Sequence, residues 1–145
     1  MLVHRENSML IPDSVLELLR DHDAIKRLAT IARDGTMSLV KIKTLKAPEP
    51  NVLVFALTDA RHLDKELVRH MDAGRLVSIL CSLARGDREV AFQIVCSVRE
   101  FQTAGPLYDK FLDELQARSV DLEGVWVLEP VEVIDRSTSN LETPS

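Results

Sequence analysis

The chain has 145 residues, 46% hydrophobic and 28% charged, with 18 Lys and Arg against 23 Asp and Glu and a net charge of −5. That length suits one globular domain with a real core, and the acidic balance excludes a generally basic surface for nucleic acid or anionic membrane. It leaves room for a local basic pocket. At 4% aromatic residues, the chain lacks the material for a single-strand stacking platform. No apolar run approaches the ~18 residues of a membrane span, and the first eight residues (MLVHRENS) lack the apolar stretch of a secretory signal. A cytoplasmic protein with no membrane and no nucleic-acid partner is expected. Cys81 and Cys96 are too few for a disulfide scaffold or a thiolate zinc site, and four scattered histidines form no metal pattern.

Residues 12–22 predict a short helix, with Asp13 or Ser14 as cap and Val15, Leu16, Leu18 and Leu19 as its apolar stripe. From Ile25 the period shortens to two, and Asp34-Gly35 supplies a turn before a second alternating stretch over 36–45. Residues 46–51, with two prolines, read as a turn, and 52–57 as a strand buried on both faces. Helical spacing returns over 58–74, where Leu63, Leu67, Val68 and Met71 form a stripe and Gly74 ends it. Two strands, 75–83 and 89–103, follow around a short loop. Gly105-Pro106 opens a third helix, and a last strand spans about 125–134, where Pro130 predicts a bulge or an edge. The order of elements has no βαβ alternation. It predicts a mainly β fold, a six-stranded antiparallel barrel with peripheral helices. Residues 1–11 read as an extension, 12–135 as the domain and 136–145 as a disordered polar tail.

Four stretches carry a resemblance that covers residues 12–135. LATIARDG at 28–35 resembles an opening hairpin, and 60–79 resembles a basic helix followed by a strand. FQIVC at 92–96 stands where "YQVKG" is common, with GPLY at 105–108 opening the next helix. VWVLEP at 125–130 resembles a closing strand. Together they resemble the pyridoxamine 5′-phosphate oxidase-like, FMN-binding split-barrel superfamily. The resemblance implies a homodimer binding FMN at the subunit interface, through basic and hydroxyl groups of the second strand and of the helix after the third.

Carried over by residue, the resemblance gives Ser38, Val40 and Lys41 on the second strand, Arg61, His62 and Lys65 on the helix, and Gln93 and Trp126 at the ring edge. Lys41 and Lys43 are equally explained as a solvated strand face, Lys65 and Arg69 as an exposed helix surface, and Trp126 as core. His62 and His70 read as surface imidazoles. Asp64 would repel a phosphate if turned inward. Cys96 replaces a family glycine and is expected beside the flavin or the dimer seam as a neutral thiol.

The arginine-rich substrate motif of a true pyridoxamine phosphate oxidase has no counterpart, which excludes vitamin B6 oxidation. No catalytic side-chain constellation is evident, so an FMN-dependent oxidoreductase would draw its chemistry from the flavin, with reduced nicotinamide or another small molecule as donor. The alternatives are a flavin-storing or sensing dimer without catalysis, or a split-barrel dimer that has lost the cofactor and serves as an interaction module.

Overall fold

Alternation along residues 25–41 makes a hairpin in which every second side chain turns inward. In the computed structural model, which describes residues 9–32, 34–57, 61–117 and 121–139, with the side chains of Arg61 and His62 outside the described set, this hairpin is β1 (Ile25–Ile31) and β2 (Met37–Lys41). Leu28 and Thr30 are buried while Ile31, Met37 and Leu39 are exposed on the opposite face. Gly35 takes the turn at φ 90°. Asp34 accepts hydrogen bonds from the Thr36 amide and hydroxyl, which hold its carboxyl below the usual range.

The second strand stops at Lys41 instead of running on to residue 45, and the pattern of burial explains why. Ile42 and Leu45 are both buried at 7% exposure. Three residues apart, they would face opposite ways on a straight strand, so burying both in one core requires a bend. After it the chain forms β3 (Lys46–Glu49), which pairs with β4 (Val52–Leu57). The segment expected to be a turn is thus itself a strand. Its two bridging pairs are Lys46 with Val54 and Glu49 with Val52.

Helix α1 (Asp13–Arg20) precedes β1, α2 (Arg61–Ala73) follows β4, and the long hairpin β5 (Leu76–Arg85) and β6 (Arg88–Gln102) turns at Gly86. Helix α3 (Pro106–Gln116) leads to β7 (Gly124–Asp135) and the two-residue β8 (Thr138–Ser139). All pairings are antiparallel, in the order β2-β1-β5-β6-β7-β4-β3, with β8 added to β6. The two ends of this order, β2 and β3, are consecutive in the chain. The bend at 42–45 therefore folds the sheet back on itself as a barrel split at that corner. Among the described residues eight strands stand where six were expected, because β3 and β8 come from segments read as turn and tail. Pro130 sits at a bulge, where Val95 pairs with Glu132 and Cys96 with Pro130.

Burial on both faces of β4 creates two cores. Leu53, Phe55 and Leu57 point into the barrel with Leu28, Ile79, Ile94 and Trp126. Val54 and Ala56 point outward, under Phe111 and Leu115 of α3. Helix α1 buries Val15, Leu16, Leu18 and Leu19 against the barrel. Its entry is not capped by Asp13 or Ser14, since the Pro12 carbonyl accepts from the Val15 and Leu16 amides and no side chain caps it. No helix among the described residues is long and apolar enough to cross a membrane, and none of their His, Cys, Asp and Glu side chains cluster in threes to hold a metal ion.

Candidate functional site

The corner that closes the barrel also opens a cleft. It measures about 170 Å³, with residues 40–44 on one side, Phe55, Ala56 and Leu57 of β4 on the other, and Leu63 of the first turn of α2 beside them. Thr44 spans it. Position 44 continues the register of β3 on β4, yet the main chain has already swung away. The Thr44 hydroxyl takes over, accepting from the Ala56 amide at 2.9 Å and donating to the Ala56 carbonyl at 3.5 Å. A side chain thus satisfies a peptide group that a strand partner would otherwise satisfy.

The cleft is apolar at its base, where Val40, Ile42, Phe55 and Leu57 meet, and cationic at its rim through the exposed Lys41 and Lys43. Neither lysine makes an ion pair among the described residues. Helix α2 starts at this end of the barrel, so the partial positive charge of its N-terminus adds to the field of the two lysines, offset by Asp64 in its first turn.

What aims α2 is a set of contacts that sequence reasoning missed. His70, expected at the surface, is 1% exposed. Its Nε2 accepts from the Ile31 amide at 3.2 Å and its Nδ1 donates to the Glu66 carbonyl at 2.7 Å. Thr30 donates its hydroxyl to the Glu66 carboxylate, and Arg69 Nη2 donates to the Ile31 carbonyl at 3.0 Å. Ile31 lies where β1 reaches the beginning of β5, so side chains of α2 complete the ladder there. The signal was present: Leu63, Leu67 and His70 fall at i, i+4 and i+7, which places the imidazole on the buried stripe.

Of the residues singled out from sequence, Val40 and Lys41 line the cleft. Ser38 is half-buried on β2 opposite Thr30, outside the lining. Lys65 is exposed on α2 and also outside it, and the side chains of Arg61 and His62 lie outside the described residues. Gln93 stands on the outer face of the sheet, donating to Ser78 Oγ at 2.9 Å and accepting from Arg136. Trp126 is not at a ligand edge: fully buried in the barrel core, its ring centroid lies 4.8 Å from that of Phe101. Asp64 follows the cleft-lining Leu63 in the first turn of α2, and its Oδ1 is buried without a hydrogen-bond partner among the described residues. Cys96 is buried in the barrel interior, where loss of water pushes its thiol well up and keeps it neutral.

No protein-family model matches the chain, and neither does any curated protein. Solved structures do match. An FMN-binding protein from Syntrophomonas wolfei superposes with a TM-score of 0.71 at 14% identity, covering 94% of this chain and 92% of the other. The chain has the split-barrel fold. HupZ of Group A Streptococcus shares this split barrel at a TM-score of 0.69 and 14% identity, over 90% of this chain and 97% of that one. HutZ, the heme storage protein from Vibrio cholerae, shares it at 0.56 and 11% identity, over 93% of this chain and 100% of HutZ. At these identities the likeness establishes the fold of the split barrel and leaves its ligand to the site itself.

Proposed function

We propose that this split barrel binds FMN as a homodimer and that the holoprotein is an oxidoreductase. The observation that carries the reading is the cleft: two lysines without an ion pair among the described residues and a helix N-terminus over an apolar base, in a chain of net charge −5. A phosphate dianion is held by converging cations and amide donors. The walls formed by Val40, Ile42, Phe55 and Leu57 suit the apolar faces of an isoalloxazine. When bound, the flavin supplies hydride and electron transfer; the side chains of this chain bind it, orient it and keep water from one of its faces. Reduced nicotinamide is the donor class proposed.

Size supports the dimer. At about 170 Å³ the cleft falls below the ~300 Å³ at which small-molecule pockets begin, so a flavin needs a second wall. The outer face of the hairpin exposes Met37 at 64%, Leu39 at 52% and Ile31 at 37%, with Leu76 of β5 at 51%. Contiguous apolar exposure of this kind marks an interface. Gln93 shares that face, so its place at a flavin edge depends on the second copy.

Heme is the competing ligand, since HutZ stores it. Heme iron takes His, Cys, Met or Tyr as axial ligand, and the described residues lining the cleft include none of these. Purified protein mixed with FMN is expected to quench flavin fluorescence saturably, and Lys41→Ala to weaken binding about tenfold, the weight of one charge-assisted contact. A protein that ignores FMN yet develops a Soret band with heme would overturn the reading. Flavin that binds but is reduced neither by nicotinamide nor by an artificial donor would move the proposal to storage or sensing.

A further inference from the structure

A larger cavity than the cleft lies elsewhere. It occupies about 460 Å³ between α1, the corner after β2, β3 and α3. Thr44 and Lys43 belong to both walls, and the Thr44 hydrogen bonds to Ala56 stand between this cavity and the cleft. Of β4, Phe55, Ala56 and Leu57 line the cleft, and Val54 lines the cavity.

Charge is strongly segregated here. Arg20, Lys26, Lys43, Lys46 and Lys110 line the cavity together with His22, against Glu114 as its sole carboxylate. A chain with 23 acidic and 18 basic residues thus gathers five cations and one acid around one opening. Glu114 is spent on Lys46, at 2.5 Å. Lys26 donates to the Asp21 carbonyl at 2.7 Å, which leaves its charge uncancelled. Arg20, Lys43 and Lys110 have no ion-pair partner among the described residues. Arg20, Lys26, Lys43 and Lys110 thus line one opening without an ion pair among the described residues, and an anion offsets their mutual repulsion.

The base of the cavity is not polar. Leu19, Leu45, Phe111 and Leu115 are buried residues of the two cores that also line it. Lys46 lies 5.7 Å from the Phe111 ring centroid, which keeps a cation over an aromatic face at the boundary between apolar base and charged rim. Volume, apolar base and cationic mouth together describe an amphipathic guest.

We infer that this cavity is a second binding site, separate from the flavin cleft, for a small organic anion: an apolar ring or short chain ending in a carboxylate, sulfonate or phosphate. The apolar body enters between Phe111 and Leu19, and the anionic end stays at the mouth with Arg20 and Lys110. The inference does not depend on whether flavin binds.

The probe is 8-anilinonaphthalene-1-sulfonate, titrated calorimetrically into the full chain. One saturable site per chain is expected, with binding weakened at least about tenfold by the double reversal Arg20→Glu/Lys110→Glu. Both side chains are exposed, and an unchanged thermal midpoint confirms that the variant folds. Glu114→Gln removes the sole carboxylate and is expected to tighten binding several-fold, a gain that misfolding cannot imitate. Lys41→Ala, which touches only the cleft, is expected to leave the probe unaffected. Equal binding by the charge-reversed variant, equally tight binding of the neutral analogue N-phenyl-1-naphthylamine, or loss of the site in Lys41→Ala would each overturn the inference.

Discussion

Thr44 accomplishes with one hydroxyl what a strand partner does with a peptide group. Replacing it by valine keeps the shape but leaves the amide and carbonyl of Ala56, a residue 8% exposed, without that partner. Thr44→Val should cost about 1–3 kcal/mol in urea unfolding, and FMN affinity should fall with it because the corner lining the cleft loosens. The buried thiols make a separate prediction. Burial pushes Cys81 from its ordinary 9.0 up to about 11, so the folded state holds this proton more tightly than the unfolded chain. The associated stability is complete below the unfolded value and is lost as pH rises from 9.0 toward 11. The urea midpoint should therefore fall between pH ~8 and pH ~10.5, and the fall should shrink in Cys81→Val. An unchanged slope in that variant would assign the alkaline loss to other groups.

At the scale of elements, local patterns explain most of the secondary structure. The stripe of α1, the Asp34-Gly35 hairpin, Gly74 after α2 and Pro106 at the start of α3 are all visible in spacing and turn chemistry, and all appear in the fold. The exceptions share a cause. With only two bridging pairs, β3 is too short for a period of two to register, and Pro48 and Pro50 imitate a turn. The pairing of β8 with Arg88 and Glu89 brings together residues about fifty positions apart, so the polarity of the tail says nothing of it. Helix α2 shows how a tertiary contact reassigns a residue, because His70 belongs to the buried stripe only once Ile31 offers its amide. Strand β7 gives a test of packing. A Cβ on Gly124 would collide with the ring of Phe101, which is already set against Trp126. Gly124→Ala should destabilise by about 1–3 kcal/mol, and adding Phe101→Leu should return part of that loss. Additive losses would mean that the two positions do not compete for the same space.

For the whole molecule, the exposed face of the hairpin ties assembly to ligand binding. Leu39→Glu puts a charge into the patch formed with Ile31, Met37 and Leu76 without touching the cleft lining. Light scattering should then report a monomer, and FMN affinity should drop although Lys41 and Lys43 are intact. A monomer that binds FMN as tightly as the parent would show that one protomer suffices. Two of the site residues drawn from sequence, Val40 and Lys41, line the cleft, whereas Trp126 went to the core and Gln93 to the outer face. The sequence by itself determined the antiparallel class, most elements and the basic second strand, because alternation, helical period and turn residues are properties of neighbours along the chain. Only the tertiary structure decided that Ile42 and Leu45 bend the chain, that residues 40–44 meet 55–57 across a cleft, and that cations from α1, β1, the corner, β3 and α3 surround one cavity. These are long-range coincidences, fixed by how two cores are filled at once, and no local pattern encodes them.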